Sequence, residues 1–132
     1  MNKIRSKIED IKTNAQLSIV TFRSKEHTLK MMSLELDKKT TEAKELILTT
    51  KASNIAIAKD FSGVLSYSNQ LDVVIVSMEM GELLCSLELA FEDTTLESVI
   101  TADSAKRMDL KVNERVKALI KSSDISIAEV LA

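Results

Sequence analysis

The stretch Lys121-Ser122-Ser123-Asp124-Ile125-Ser126-Ile127-Ala128 occurs earlier in the chain, slightly altered, as Lys51-Ala52-Ser53-Asn54-Ile55-Ala56-Ile57-Ala58. Five of these eight positions are identical, so the chain is read as two copies of a smaller unit before any local reading is attempted. Outward from this stretch, Asn2 aligns with Asn69, Ile4 with Leu71, Ile8 with Ile75, Ile11 with Met78, Leu17 with Leu84, Val20 with Leu87, Phe22 with Leu89 and Leu29 with Leu96, at a constant offset of 67. At the Lys-x-Ser stretch the offset has become 70, which places three extra residues in the register between Glu35 and Thr50, in a loop or short helix. Asn14 faces Gly81, and this pair predicts a tight turn with positive φ in each copy.

The 132 residues thus divide into units of roughly 65, at residues 1–62 and 64–132, with Lys59 to Gly63 as the linker; units this small sit near the lower limit for a self-sufficient core. Such units are expected to pack on each other or on further copies of the chain. With 45% hydrophobic residues, 29% charged and a net charge of −2, the chain lacks the basic excess of a nucleic-acid binder. Phe22, Phe61, Tyr67 and Phe91 are too scattered to form base-stacking platforms. There is no apolar stretch long enough to span a bilayer and no signal-peptide core near the start. These features predict a cytoplasmic protein without direct nucleic-acid or membrane partners.

Within each copy, Leu71-Asp72-Val73-Val74-Ile75-Val76 is β-branched and continuous. It decides that its twin, Asn2 to Ile11, is a strand although the spacing of Ile4, Ile8 and Ile11 would also suit a helix. Leu17 to Phe22 and the alternating Cys85 to Phe91 form second strands, and Leu29 to Leu34 and Leu96 to Thr101 form third strands after polar hairpin turns. Asp103 is the expected cap of a helix over residues 103–108, reduced to a turn between Glu35 and Thr41 in the first copy. Leu46 to Thr50 and Val116 to Ile120 form fourth strands, with Ile55 to Ile57 and Ile125 to Ile127 closing each unit. The predicted fold is mainly β: two tandem OB-like five-stranded β-barrels, each with one short helix. The competing reading is a small α+β domain with a helix over Lys3 to Lys12.

Catalytic chemistry finds no footing. His27 is the only histidine and lies in a charged turn, read as a solvated loop residue. Cys85 is read as a small core side chain. Zinc-ligand spacing, paired carboxylates and a Gly-rich phosphate loop are all absent, so the chain is read as a non-enzyme that holds no metal ion directly. The repeated corner stands out instead: at Lys51-Ala52-Ser53 and Lys121-Ser122-Ser123 a cation, hydroxyls and turn N–H groups are placed together between two strands. Such donors suit a compact oxyanion.

Four further segments carry a family resemblance: Asn69-Gln70-Leu71, the Leu-x-x-Val-Ile-Thr strand at Leu96 to Thr101, the run from Ser104 to Leu110-Lys111-Val112, and Ala118-Leu119-Ile120-Lys121-Ser122-Ser123. In these the chain resembles the Mop domain of the molbindins, and as a tandem pair it resembles a di-Mop protein. The second copy matches closely; the first rests mainly on Lys51-Ala52-Ser53. The resemblance implies OB-like barrels that bind molybdate or tungstate at subunit interfaces, in homo-oligomers (dimers or trimers of the tandem chain). Carried over by position, it implies oxyanion-binding roles for Lys121, Ser122, Ser123 and Thr101, for Lys51, Ala52 and Ser53, and for the opening Ser66-Tyr67-Ser68-Asn69 through Ser66, Ser68 and Asn69. Ser68 stands where the family has arginine. A dianion held by one lysine and neutral donors gains less than one held by two cations, each charge-assisted bond being worth roughly 1.5 to 3 kcal/mol.

The implied function is intracellular molybdate or tungstate storage and homeostasis. An effector-sensing regulatory module and a ligand-free structural oligomer are the alternatives; with no helix-turn-helix ahead of the first copy, the regulatory module is expected to act through a separate DNA-binding protein.

Overall fold

Ile4, Ile8 and Ile11 lie on a single long strand, and a β-bulge explains their helix-like spacing. The strand β1 (Asn2–Asn14) shifts register between Ile8 and Asp10, and its counterpart β6 (Asn69–Met80) shifts between Ile75 and Ser77. One extra residue at the bulge changes which parity faces inward, so the buried series 4, 6, 8 continues at 11. The structure is a computed structural model and describes residues 2–131; Met1, with which the first copy begins, and Ala132 lie outside the described residues.

After β1 come β2 (Leu17–Ser24), β3 (His27–Leu34), α1 (Lys38–Thr41), β4 (Leu46–Thr50) and β5 (Ala56–Ala58). After β6 the same series recurs as β7 (Leu84–Phe91), β8 (Thr94–Thr101), α2 (Ala102–Arg107), β9 (Arg115–Ile120) and β10 (Ser126–Val130). Strand accounts for 58% of the chain and helix for 12%, which settles the competing α+β reading against a helix over Lys3 to Lys12. The bulge bends each long strand so that it serves two partners. Residues 2–6 of β1 pair with β4 and residues 7–14 with β2, while β6 divides in the same way between β9 and β7.

The sheets cross the boundary between the sequence copies. Sheet order is β10-β4-β1-β2-β3 in one unit and β5-β9-β6-β7-β8 in the other, so each copy's closing strand completes the other copy's sheet. Ser126 and Ile127 pair with Thr49 and Leu48, and Ala56 to Ala58 pair with Leu119 to Lys117. The apolar interior follows the repeat: Val20, Phe22 and Leu29 are fully buried, as are Leu87, Leu89 and Leu96, and both sets belong to one continuous core. Cys85 is buried there, and burial raises its thiol pKa.

Two asparagines lock the units together reciprocally. Asn2 donates from Nδ2 to the Glu97 carbonyl (2.9 Å) and accepts at Oδ1 from the Glu97 N–H (2.6 Å). Asn69 donates to the carbonyls of Lys30 (3.0 Å) and Ile120 (3.1 Å) and accepts from the Lys30 N–H (2.7 Å). A carboxamide offers a donor and an acceptor side by side, as a peptide group does, so each asparagine extends its strand's bonding pattern onto the other unit's third strand.

Three local expectations are corrected. Neither Asn14 nor Gly81 has positive φ: Asn14 ends β1, and Ala15 (φ 57) makes the turn. Glycine at 81 serves close approach, because a Cβ there would lie 2.9 Å from the Leu84 carbonyl oxygen. The cap of α2 is Thr101, whose side chain accepts from the Ser104 N–H (3.1 Å), and Asp103 lies in the first turn. His27 is three-quarters buried, bonded to Glu92 Oε2 (2.9 Å) and set edge-on against the Phe91 ring at 4.7 Å. Ser24 donates to the other oxygen of the Glu92 carboxylate (2.7 Å), so the β2–β3 and β7–β8 hairpins meet here.

Lys59, at the start of the linker, donates to the carbonyls of Met108 (3.0 Å) and Asp109 (2.8 Å) and to Glu114 (2.8 Å). Its bond to Glu114 raises the Lys59 pKa and lowers that of Glu114.

Replacing Asn69 with alanine strips partners from three backbone groups, and a buried group left unmatched costs about 1–3 kcal/mol. Urea unfolding of Asn69→Ala is expected to show a loss of about 2–4 kcal/mol, with Asn2→Ala, which removes two bonds instead of three, losing less.

Candidate functional site

The repeated corners have nearly identical backbones. Lys51 (φ −74, ψ 145) precedes a single 3₁₀ turn at Ala52–Asn54, and Lys121 (φ −70, ψ 148) precedes one at Ser122–Asp124. In each turn the fourth N–H returns to the lysine carbonyl, from Asn54 at 2.9 Å and from Asp124 at 3.0 Å, so those two donors are taken up locally. The first turn packs on β8 and the second on β3, which sets each corner against the other sequence copy.

Strand exchange brings parts of both corners to one cleft of about 230 Å³, lined by Thr49, Thr50, Lys51 and Asn54 from the first copy and by Ser123, Asp124, Ile125 and Ser126 from the second. Thr50 Oγ1 donates to the Asp124 carbonyl (2.8 Å) and ties the corners together. Thr49 Oγ1 is shut off from solvent without a hydrogen-bond partner among the described residues. Lys51 also borders a second cleft, of about 390 Å³, whose walls include Asn2, Ala52, Glu88, Thr95 and Glu97.

Of the residues singled out in the sequence, Lys51 and Ser123 share the first cleft, and Lys51 and Ala52 share the second. Ser53 is exposed on the first turn. Lys121 is exposed and Ser122 half-buried on the turn beside β3. Thr101 caps α2, with its hydroxyl donating to Ser104 Oγ (2.9 Å), and lines neither cleft. Ser66 and Ser68 are exposed in the segment leading into β6 and also line neither. Asn69 is fully buried with both amide hydrogens engaged by carbonyls, so it serves the junction and has no hydrogen left for a ligand.

Thr49, Thr50, Asn54, Asp124 and Ser126 join the site unannounced. The repeat alignment held one signal, the change from Asn54 to Asp124 at an otherwise matched position. Among the described residues no group of three or more His, Cys, Asp or Glu side chains is placed to hold a metal ion, and no helix is long and apolar enough to cross a membrane.

Two small barrels in tandem, with closing strands exchanged, define the class of this protein. Residues 65–127 match the model of the TOBE domain. Among solved structures, the chain resembles the cytoplasmic molybdate-binding protein ModG in a form with molybdate bound: TM-score 0.87, 21% identity, 96% of this chain and 94% of that one covered. It also matches a molybdate-binding protein from Sporomusa ovata at 27% identity, over 46% of this chain and 90% of that one, with a TM-score of 0.45. No curated protein matches the chain. The expected tandem Mop-like architecture, mainly β and OB-like, is therefore borne out.

Thr50→Val keeps the shape of β4 and removes the hydroxyl that ties the corners. Urea unfolding is expected to register a loss of about 1–2 kcal/mol, since the Asp124 carbonyl loses its partner.

Proposed function

We propose that the chain is a non-enzymatic oxyanion-binding protein of the cytoplasm, whose ligand is molybdate or tungstate and whose role is storage or homeostasis. The observation that carries this reading is the repeated Lys-x-Ser corner, set in matching backbone on a fold shared over nearly its whole length with a protein described as molybdate-binding. In this reading Lys121, Ser122 and Ser123 form the stronger corner and Lys51, Ala52 and Ser53 the weaker one, with Thr101, Ser66 and Ser68 contributing from other copies of the chain. The sequence copies 1–62 and 64–132 act as the two binding units. Tungstate is included because it is a tetrahedral dianion of nearly the same size.

Molybdate is expected to raise the melting temperature, since a ligand at about 100 times its dissociation constant stabilises by roughly 2.7 kcal/mol. Lys121→Ala should remove most of that shift and Lys51→Ala a smaller part. Calorimetry showing no binding of either metal oxyanion would end this reading.

Homo-oligomerisation belongs to the same proposal. Leu17 and Leu34 pair across β2 and β3 with exposed side chains, and Leu83 and Leu84 are exposed at the equivalent end of the second unit. A dimer or trimer of the tandem chain would cover them. Light scattering at micromolar concentration is expected to give a multiple of the chain mass, and a monomer would contradict it.

A further inference from the structure

Lys7 and Arg23 stand directly opposite each other on β1 and β2, and both are exposed. Like charges so placed destabilise a sheet, whereas the same two positions of the second copy, Val74 and Ala90, pair without charge. The pair belongs to a larger set. Lys3, Arg5 and Lys7, the exposed residues that alternate with buried Ile4 and Ser6 on β1, line a cleft of about 690 Å³ together with Arg23 and Lys25. This cleft shares no lining residue with the two at the lysine corners. The repeat equivalents of its five cations are Gln70, Asp72, Val74, Ala90 and Glu92, which carry two carboxylates and no positive charge. The fold therefore does not require the cations. Nor do those of β1 protect a sheet edge, a common reason for lysine on a strand, because β1 is the third of five strands.

The remaining walls are Glu45 and Ile47 of β4 and the turn Glu92-Asp93-Thr94 of the second copy. Arg5 pairs with Glu45 (2.7 Å) and Lys25 with Asp93 (2.7 Å), both partners lining the cleft in each case. Both oxygens of Glu92 are already held by Ser24 and His27. Arg23 pairs with Glu9, which lies outside the lining, and Lys3 and Lys7 have no ion-pair partner among the described residues. Ion pairs this exposed contribute little, so an incoming anion displaces them at small cost. A carboxylate ligand would only exchange like for like with Glu45 and Asp93. A phosphate group, with a charge of about −1.5 to −2 and three acceptor oxygens, gains over the carboxylates it displaces. From Lys3 to Lys7 the strand runs about 13 Å, more than one phosphate spans, and the cleft volume lies in the range of small-molecule sites. We propose that this cleft binds a small molecule carrying two or more phosphate groups, with Lys7 and Arg23 holding one phosphate and Lys3 and Arg5 the next. The site is separate from the lysine corners, and the two can be filled at once.

The test is calorimetric titration of the full chain at neutral pH with inorganic triphosphate as the probe, and with orthophosphate and a hexaglutamate peptide for comparison. The informative variant combines Lys7→Val and Arg23→Ala, because these are the residues the repeat carries at Val74 and Ala90. Its urea midpoint is expected to equal or exceed that of the wild type, since the like-charge pair is gone, so a loss of binding is not a loss of folding. Triphosphate is expected to bind the wild type at least about tenfold more tightly than orthophosphate or the peptide, and to lose at least about tenfold in the double variant while keeping its affinity in Lys51→Ala and Lys121→Ala. No triphosphate binding, binding unchanged in the double variant, or binding lost with either corner lysine overturns the inference. Orthophosphate binding as tightly as triphosphate overturns the claim of a second phosphate, and the peptide doing so overturns the phosphate class. Molybdate is expected to bind the double variant as it binds the wild type; a joint loss of molybdate and triphosphate there would put both at one site and overturn the inference.

Discussion

Neither half of this chain finishes its own sheet, and the pairing of each closing strand with the other half is the constraint on which the rest depends. A five-stranded barrel that lacks a strand exposes a row of unpaired N–H and C=O groups, a liability in water and an invitation to aggregation. Here β5 and β10 fill the two vacancies reciprocally. Asn2 and Asn69 then carry the bonding across the seam, each placing a side-chain amide where a further peptide group would otherwise be needed. The two units therefore share one core, and neither is expected to be stable when excised.

Reciprocity at the seam leaves the chemistry of each side free to diverge. Where the hairpins meet, the equivalent positions are Ser24 and Phe91: the hydroxyl serves Glu92, and the ring supports His27. Ser98 Oγ donates to the Ile55 carbonyl of the other copy (2.6 Å), whereas its repeat position is Met31, which has no hydroxyl, yet both side chains are buried. The corners show the same behaviour, with a common backbone but with Thr49 and Thr50 before Lys51 where Leu119 and Ile120 precede Lys121. A duplicated fold under a shared packing constraint keeps its inward positions and its turns, while side chains bordering solvent can specialise.

The same geometry relates the sites to assembly. The corners lie at the seam, close to where one chain can supply donors from both copies, whereas Thr101, Ser66 and Ser68 lie away from it. In the proposed reading those residues act only when another chain presents them, which links ligand binding to the covering of the exposed leucines at the strand ends.

The sequence by itself determined the repeat, the strand order within each copy and the core positions, because burial imposes a period of two on strands and the repeat supplied each segment with a second example. Without Leu71 to Val76, the segment containing Ile4, Ile8 and Ile11 would have read as a helix; the bulge at Ile8 produces that spacing, and a bulge leaves no mark in composition. The lysine corners were legible because they recur. The sequence could not show which sheet Ala56–Ala58 and Ser126–Val130 complete, since an edge strand's own residues are the same whether it pairs within its unit or across to the other. Nor could it show that Asn69 is consumed by the seam, that His27 packs on Phe91, or that Ser123, Asp124 and Ser126 share a cleft with Lys51. Those are contacts between residues far apart in the chain, and only the exchange of strands decides which of them meet.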